Sequence, residues 1–118
     1  MTSPNTLDSF ETLVSLKELL NDDLKPIIVT FLKHTPITLN KLQRAIKAEN
    51  TTQVKDLAHL LKGSSANLGL MAFSEQCYVI EKSANEDADY EQLQTNLASL
   101  ITHAENLQQR LEQFIIEY

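Results

Sequence analysis

Residues 89–116 read DYEQLQTNLASLITHAENLQQRLEQFII, and they carry the strongest structural signal in the chain. Apolar side chains recur there at spacings of three and four, at Leu93, Leu97, Leu100, Ala104, Leu107, Leu111 and Phe114. Residues three and four apart lie on one face of a helix, so this pattern predicts a long helix with a single apolar stripe. Such a helix buries its stripe best against other helices of similar length, which predicts a helical bundle.

Two helices are predicted in the first part of the chain. The first runs from about Asp8 to Leu20, and Asp8 and Glu11 have the spacing of a capping box. The second runs from about Asp22 to Ala48. Its apolar residues, which follow the helical period, are Ile27, Ile28, Phe31, Leu32, Leu39, Leu42 and Ile46.

Pro36 lies in the middle of the second predicted helix. A proline there removes one backbone donor and kinks or breaks a helix. Either the helix continues with a kink, or Thr35 caps a new helix that has Pro36 at its first position. We favour the kinked, continuous helix, although the sequence does not decide between the two.

Two further helices are predicted before the C-terminal one. Asn50 and Gln53 have capping-box spacing and open a helix that reaches about residue 67 or 68. Gly69 is placed to end that helix with a left-handed cap. The next helix runs from about residue 72 to residue 84, and a polar loop follows it.

The fold class predicted from these segments is all-α, an antiparallel up-and-down four-helix bundle with an additional short N-terminal helix. The alternating pattern of strands is missing, and two glycines and three prolines leave few places to reverse the chain. A length of 118 residues suits a single domain over residues 1–118, with a helical core at about 8–116.

Charge and composition exclude several classes of partner. The net charge is −6, and residues 85–118 carry seven acidic residues against one base, Arg110. Without a basic stripe, neither nucleic acid nor an anionic membrane is an expected partner. The single cysteine, Cys77, cannot form an internal disulfide, and neither a membrane-spanning run nor a secretory signal is seen. We therefore expect a cytoplasmic protein.

Residues 54–69, VKDLAHLLKGSSANLG, contain the candidate functional residues of the chain. On a helical wheel the predicted core face consists of Val54, Leu57, Leu61, Ser64 and Leu68, and His59 lies opposite it. The outer face around His59 consists of Lys55, Asp56, Lys62, Gly63 and Ala66. Lys55, Asp56 and Ala66 of this face, together with Glu81 of the next helix, form a candidate docking surface.

An exposed histidine, a lysine and a glycine on one face suit phosphoryl transfer. A histidine in water is mostly neutral at pH 7, and the Lys62 ammonium would attract phosphoryl oxygens. Gly63 costs a helix about 1 kcal/mol relative to alanine, and close approach of another molecule would be a reason to keep it. A lone exposed histidine beside a lysine is more often ordinary solvated surface, so His59 and Lys62 alone do not establish this function.

Residues 59–69, HLLKGSSANLG, closely resemble the signature of histidine phosphotransfer (HPt) domains, H-x-x-K-G-S/A-S/A followed by small residues and a glycine. The resemblance extends over about residues 8–116 and implies a four-helix bundle with an extra N-terminal helix. It also implies that His59 is phosphorylated at Nε2, that Lys62 steadies the phosphoryl group and that Gly63 admits the receiver's active-site loop. A histidine kinase dimerisation domain is disfavoured, because its motif resembles H-E/D-x-x-x-P.

The resemblance also implies a reaction and partners. The chain would take a phosphoryl group from a receiver-domain aspartyl phosphate and pass it to another receiver in a two-component phosphorelay, as a carrier and not an enzyme. Magnesium would belong to the receiver, so no cofactor or metal is expected on this chain. Response-regulator receivers and a hybrid sensor histidine kinase are the expected partners of a free-standing monomer. The alternative is a non-phosphorylated bundle that docks on a receiver or another signalling protein.

The remaining polar residues are predicted to have structural roles. His34 and His103 have no spacing that suggests a metal site, and we expect them at the surface or its boundary. Cys77 lies among apolar neighbours and is expected to be a small core residue.

Overall fold

A computed structural model describes residues 8–118, which form five α-helices and one short 3-10 helix. The α-helices are α1 at Glu11–Leu20, α2 at Leu24–Lys47, α3 at Thr51–Asn67, α4 at Met71–Ser83 and α5 at Tyr90–Ile116. The 3-10 helix, at Asn21–Asp23, joins α1 to α2. No strand occurs between residues 8 and 118, and the predicted all-α class is confirmed.

Helices α2 to α5 form the bundle. α3 packs against α2 and α4, and α5 packs against the same two helices from the other side. The short α1 contacts the start of α2 and the 3-10 helix before it. Each helix is thus flanked by two others, which confirms the predicted four-helix bundle with an additional N-terminal helix. No helix in the described part of the chain has the length and apolarity needed to cross a membrane.

The core is built from the apolar stripes of all five helices. Its largest fully buried side chains are Phe73, Leu13, Leu24, Ile28, Leu42, Ile46, Leu61, Leu70, Ile80, Leu93, Leu100 and Leu107. Phe73 lies at its centre, with its ring edge-on to Phe31 at 6.3 Å and to His103 at 5.3 Å. Burial of each such side chain contributes about 1.5–3 kcal/mol, so the packed stripes dominate the stability of the bundle.

Helix α2 continues through Pro36 without a break. Pro36 has no N–H to donate to the preceding turn, which is the usual cause of a helix break. The adjacent turns are reinforced by side chains, since the Thr35 hydroxyl donates to the Phe31 carbonyl at 2.6 Å and the Thr38 hydroxyl donates to the His34 carbonyl at 3.0 Å. The continuity of the favoured kinked helix is confirmed, and a new helix starting at Pro36 is excluded.

Asp8 does not cap α1, and this sequence prediction was wrong. Helix α1 begins at Glu11, whose N–H donates to the Ser9 hydroxyl at 3.2 Å and not to Asp8. The Asp8 side chain instead accepts a hydrogen bond from the backbone N–H of Phe73 at 3.0 Å, in the first turn of α4. Its other oxygen lies 2.7 Å from Nε2 of His103. Asp8 therefore ties the N-terminal segment to α4 and α5, across the fold.

The ends of α3 follow the predicted chemistry. At its start the Asn50 side chain accepts a hydrogen bond from the Gln53 backbone N–H at 3.1 Å. At its end Gly69 adopts a left-handed conformation with φ of 73°. A methyl group at Gly69 would also overlap the side chain of Thr12 in α1. Glycine is needed at this turn for both reasons, and it allows α1 to pack closely there.

The core face of α3 differs from the predicted one. Its buried residues are Val54, Ala58, Leu61, Ser65 and Leu68, whereas Leu57 and Ser64 are only partly buried. Ser65, and not Ser64, lies in the core. Its hydroxyl donates to the Leu61 carbonyl of its own helix at 2.7 Å, which makes the burial of a polar group tolerable. His59 remains on the outer side of the helix.

Candidate functional site

His59 lies near the middle of α3 with 66% of its side chain exposed. No core contact holds the ring, since the buried residues of α3 lie on the other side of the helix. The next residue, Leu60, is also 58% exposed. The predicted outward orientation of His59 therefore agrees with the structure, and the imidazole is accessible to a second protein.

Glu81 of α4 bridges His59 and Lys62. One carboxylate oxygen lies 2.8 Å from Nδ1 of His59, and the other lies 2.8 Å from Nζ of Lys62. An ionised carboxylate can only accept hydrogen bonds, so Nδ1 is the ring nitrogen that carries the proton. In the neutral ring Nε2 then has a free lone pair. Glu81 was predicted only as a docking residue, but its side chain, 15% exposed, is engaged within the site.

The charge of Glu81 is favoured by its neighbours. The bond from the Lys62 side chain, and to a smaller degree the one from His59, lowers the pKa of Glu81 below its ordinary value of 4.5, although partial burial opposes this. The carboxylate is consequently ionised at neutral pH. A fixed anion beside His59 and a fixed cation beside Glu81 are the two electrostatic elements of the site.

The Glu81 pairing makes stability depend on pH. Because the pKa of Glu81 is lower in the folded than in the unfolded chain, its contribution is present above pH 4.5 and is lost as pH falls through the folded-state pKa. We expect Glu81→Gln to be less stable than the wild type in urea unfolding at pH 7, and the difference to shrink at about pH 3. Glu75→Gln, at an exposed position of the same helix, is the control. If the difference in stability between the wild type and Glu81→Gln were as large at about pH 3 as at pH 7, the pairing of Glu81 would be contradicted.

Lys62 is held between two residues of α4. Besides the Glu81 carboxylate, its ammonium lies 5.1 Å from the centre of the Tyr78 ring, within cation–π range. Its side chain is 28% exposed, which leaves a path to solvent and to an incoming anion. The lysine is thus kept one turn from His59 as a localised positive charge.

Gly63 has no packing role within residues 8–118. Outside its chain neighbours and the backbone of its own helix, a methyl group placed there would meet no heavy atom within 4 Å, and the residue is exposed. This is the opposite of Gly69, where the turn conformation and the contact with Thr12 require glycine. The helix backbone beside His59 therefore carries no side chain at Gly63, although no contact within residues 8–118 requires a glycine there.

Replacing the two glycines should have opposite effects on stability. Gly63→Ala is expected to raise the free energy of unfolding by about 0.5–1 kcal/mol, because alanine loses less backbone entropy in a helix. Gly69→Ala should lower it by at least about 1 kcal/mol, since alanine disfavours the positive φ and would overlap Thr12. Thermal unfolding of both variants measures this. A destabilised Gly63→Ala protein would mean that the helix needs glycine there for itself.

The other predicted site residues lie around this centre without contacting it. Lys55 and Asp56 are exposed one turn before His59, and Ala66 is partly buried one turn after Lys62. A groove of about 340 Å³ lies between α2 and α3, and Leu60, the residue after His59, is part of its lining. Ile27 and Leu60 line this groove and are 46% and 58% exposed. Sequence reasoning missed this apolar surface, because Ile27 was assigned to the core stripe of α2.

His103 and Cys77 lie in the core. Cys77 is fully buried as predicted, and burial raises the pKa of its thiol to about 12, so it is not a reactive group. His103 was predicted at the surface or its boundary, but it is buried, with Nδ1 2.7 Å from the Gln76 amide oxygen and Nε2 2.7 Å from Asp8. Within residues 8–118, no three His, Cys, Asp or Glu side chains are grouped so as to hold a metal ion.

A four-helix bundle that presents an exposed, oriented histidine beside a lysine and an open glycine defines the phosphotransfer class of helical proteins. The family model described as Hpt domain matches residues 26–115, and the chain belongs to this family. The predicted family, the histidine phosphotransfer (HPt) domain, is confirmed.

Two curated proteins and one solved structure illustrate the relationship. The chain is 34% identical to the phosphorelay intermediate protein YPD1 of Saccharomyces cerevisiae over 70 residues, which is 58% of this chain and 42% of that protein. It is 29% identical to the YPD1 protein of Candida albicans over 72 residues, 61% of this chain and 39% of the relative. The chain thus spans less than half the length of these curated relatives.

The crystal structure of histidine-containing phosphotransfer protein B (HptB) from Pseudomonas aeruginosa PAO1 has the same fold. It superposes with a TM-score of 0.87 and covers 99% of both chains, at 21% sequence identity. The superposition supports the fold, including the additional N-terminal helix. At 21% identity it supports the fold alone.

Proposed function

We propose that this chain carries phosphoryl groups between receiver domains, with Nε2 of His59 as the accepting atom. The observation that carries the proposal is the 2.8 Å contact between Nδ1 of His59 and Glu81, on an imidazole whose side chain is 66% exposed. This contact directs the ring proton to Nδ1 and leaves the Nε2 lone pair for the reaction. Membership of the Hpt domain family supports the same assignment.

The proposed reaction is an in-line displacement at phosphorus. The Nε2 lone pair of His59 attacks the phosphorus of a receiver's aspartyl phosphate, the P–O bond breaks, and the aspartate leaves as a carboxylate. Because the transition state is loose, positioning and nearby positive charge do most of the work. Lys62, held one turn away, supplies that charge toward the phosphoryl oxygens. The reverse reaction on a second receiver returns His59 to its neutral form.

The chain itself is proposed to be a carrier and not an enzyme. It offers one nucleophile and one cation, whereas the aspartyl phosphate and the Mg²⁺ that neutralises its charge belong to the receiver. No cofactor is proposed on this chain.

Access for the receiver is supported by two features beside His59. Gly63 leaves the helix backbone bare one turn after the histidine, where a side chain would obstruct an approaching loop. The groove with Ile27 and Leu60 offers exposed apolar surface next to it. Lys55 and Asp56 are exposed charged residues one turn before His59. Response-regulator receivers, and a hybrid sensor histidine kinase as their source of phosphate, are the proposed partners of a cytoplasmic monomer.

The test is phosphotransfer from receivers of the same organism. Each receiver is phosphorylated, mixed with the chain and Mg²⁺, and the chain is followed for acid-labile, base-stable label. We expect label from at least one receiver within minutes and its discharge to a second receiver. A folded chain that binds receivers but never acquires label would instead be a docking module.

A further inference from the structure

Glu81 contacts the ring nitrogen that is not used for phosphoryl transfer, so its influence continues after His59 is phosphorylated. The carboxylate lies 2.8 Å from Nδ1, on the far side of the ring from Nε2. We infer that Glu81 sets the lifetime of the phosphoryl group on His59 by keeping Nδ1 protonated in the phosphorylated state. This inference rests on the proposed function, because it concerns the phosphorylated form of the same residue.

The chemistry follows from the leaving group. When water or a receiver carboxylate attacks the phosphorus, the P–N bond breaks and its electron pair remains on Nε2. If Nδ1 holds a proton, the ring leaves as neutral imidazole; if it does not, the ring must leave as an anion, which is far less favourable. With water as the nucleophile the products are neutral His59 and dihydrogen phosphate. Glu81 is thus a positioning residue that keeps the stored group labile enough to be passed on.

Glu81 is suited to hold this proton because it is itself fixed. Its second oxygen is paired with Lys62 at 2.8 Å, and Lys62 lies against the Tyr78 ring. The side chain of Glu81 is only 15% exposed, so water competes weakly for its oxygens. A charged acceptor with restricted motion favours the protonated Nδ1 more than solvent does.

Other ionisable groups lie within one helical turn of His59 or of Glu81, and their effects must be distinguished from that of Glu81. On α3 they are Lys55, Asp56 and Lys62, and on α4 they are Tyr78 and Lys82. From α2, His34 lines the groove that contains Leu60. Among these side chains and Glu81, only Glu81 is within hydrogen-bond distance of a His59 ring nitrogen.

The experiment phosphorylates His59 chemically, without any receiver. Phosphoramidate transfers its phosphoryl group to accessible histidines, and the chain contains three, of which His103 is buried. In a His34→Gln background His59 is the one exposed histidine. The half-life of its phosphoryl group is then followed by ³¹P NMR from about pH 6 to pH 9. Failure of the relay itself would not affect this measurement, because no receiver takes part.

Dephosphorylation should slow as pH rises and Nδ1 loses its proton. In Glu81→Gln this slowing should occur at lower pH, and the half-life at about pH 8 should be about tenfold longer than in the parent, as expected for the loss of a charge-assisted hydrogen bond. Glu81→Asp should lie between the two. Glu75→Gln, at an exposed position of α4, should change neither the rates nor the pH at which they fall.

Three results would overturn the inference. The first is an identical pH profile for the parent and Glu81→Gln. The second is ¹⁵N chemical shifts that place the ring proton of unphosphorylated His59 on Nε2, since Glu81 would then not control the tautomer. Failure of phosphoramidate to label His59 would contradict the accessibility of Nε2 and overturn it as well.

Discussion

His59→Gln should abolish acceptance of the phosphoryl group while leaving the bundle folded. Glutamine has no nucleophilic ring nitrogen, and no other group at the site replaces it. The imidazole is 66% exposed and packs against nothing in the core, so its loss should change the free energy of unfolding by no more than about 0.5 kcal/mol. The measurement is label transferred from a phosphorylated receiver, with urea unfolding of the same preparation.

His34→Gln is the matched control for this experiment. His34 is also an exposed histidine, and it borders the groove on α2. This variant should retain acceptance of the phosphoryl group, with at most a modest loss of receiver affinity. Label persisting in the His59→Gln variant would mean that another residue carries the phosphoryl group.

Asp8→Ala should have the largest effect on stability of any polar substitution in the chain. The Asp8 side chain is inaccessible to solvent and joins two groups, the Phe73 N–H at 3.0 Å and Nε2 of His103 at 2.7 Å. Alanine would leave both buried without a partner. We expect a loss of about 3–5 kcal/mol, the usual cost of removing one member of a buried pair. Typical domains are stable by about 5–15 kcal/mol, so this loss would remove a large part of the total free energy of unfolding.

Urea unfolding of three variants separates the two roles of Asp8. Asp8→Asn keeps an acceptor for the Phe73 N–H, so its free energy of unfolding should fall by less than that of Asp8→Ala. Asp56→Ala, at an exposed position of α3, should lie within about 0.5 kcal/mol of the wild type. If Asp8→Ala also cost less than about 1 kcal/mol, the N-terminal segment would not be anchored as the structure describes.

The helices were predictable because their signals are local. The apolar stripe at spacings of three and four predicts α5, and the Asn50 cap lies three residues before the N–H group that it accepts from. Gly69 was recognisable as a helix end, because a left-handed residue is needed there. For the same reason the motif at His59, Lys62 and Gly63 could be placed on one outer face from the sequence.

The contacts that complete the site and the core could not be predicted in the same way. His59 and Glu81 are 22 residues apart, and Asp8 and His103 are 95 apart, on elements whose relative rotation is set by packing. No spacing rule links such residues. Asp8 was therefore assigned to the nearer helix end, and His103 to the surface, because each was judged without the partner that makes its burial tolerable.

The measurement that tests the account most directly is the identity of the phosphorylated nitrogen. The chain is labelled with ¹⁵N at its histidine rings, phosphorylated by a receiver, and examined for coupling between ³¹P and ¹⁵N. We predict coupling to Nε2 of His59, with Nδ1 still protonated beside Glu81. Coupling to Nδ1 of His59, or to a nitrogen of another histidine, would contradict it.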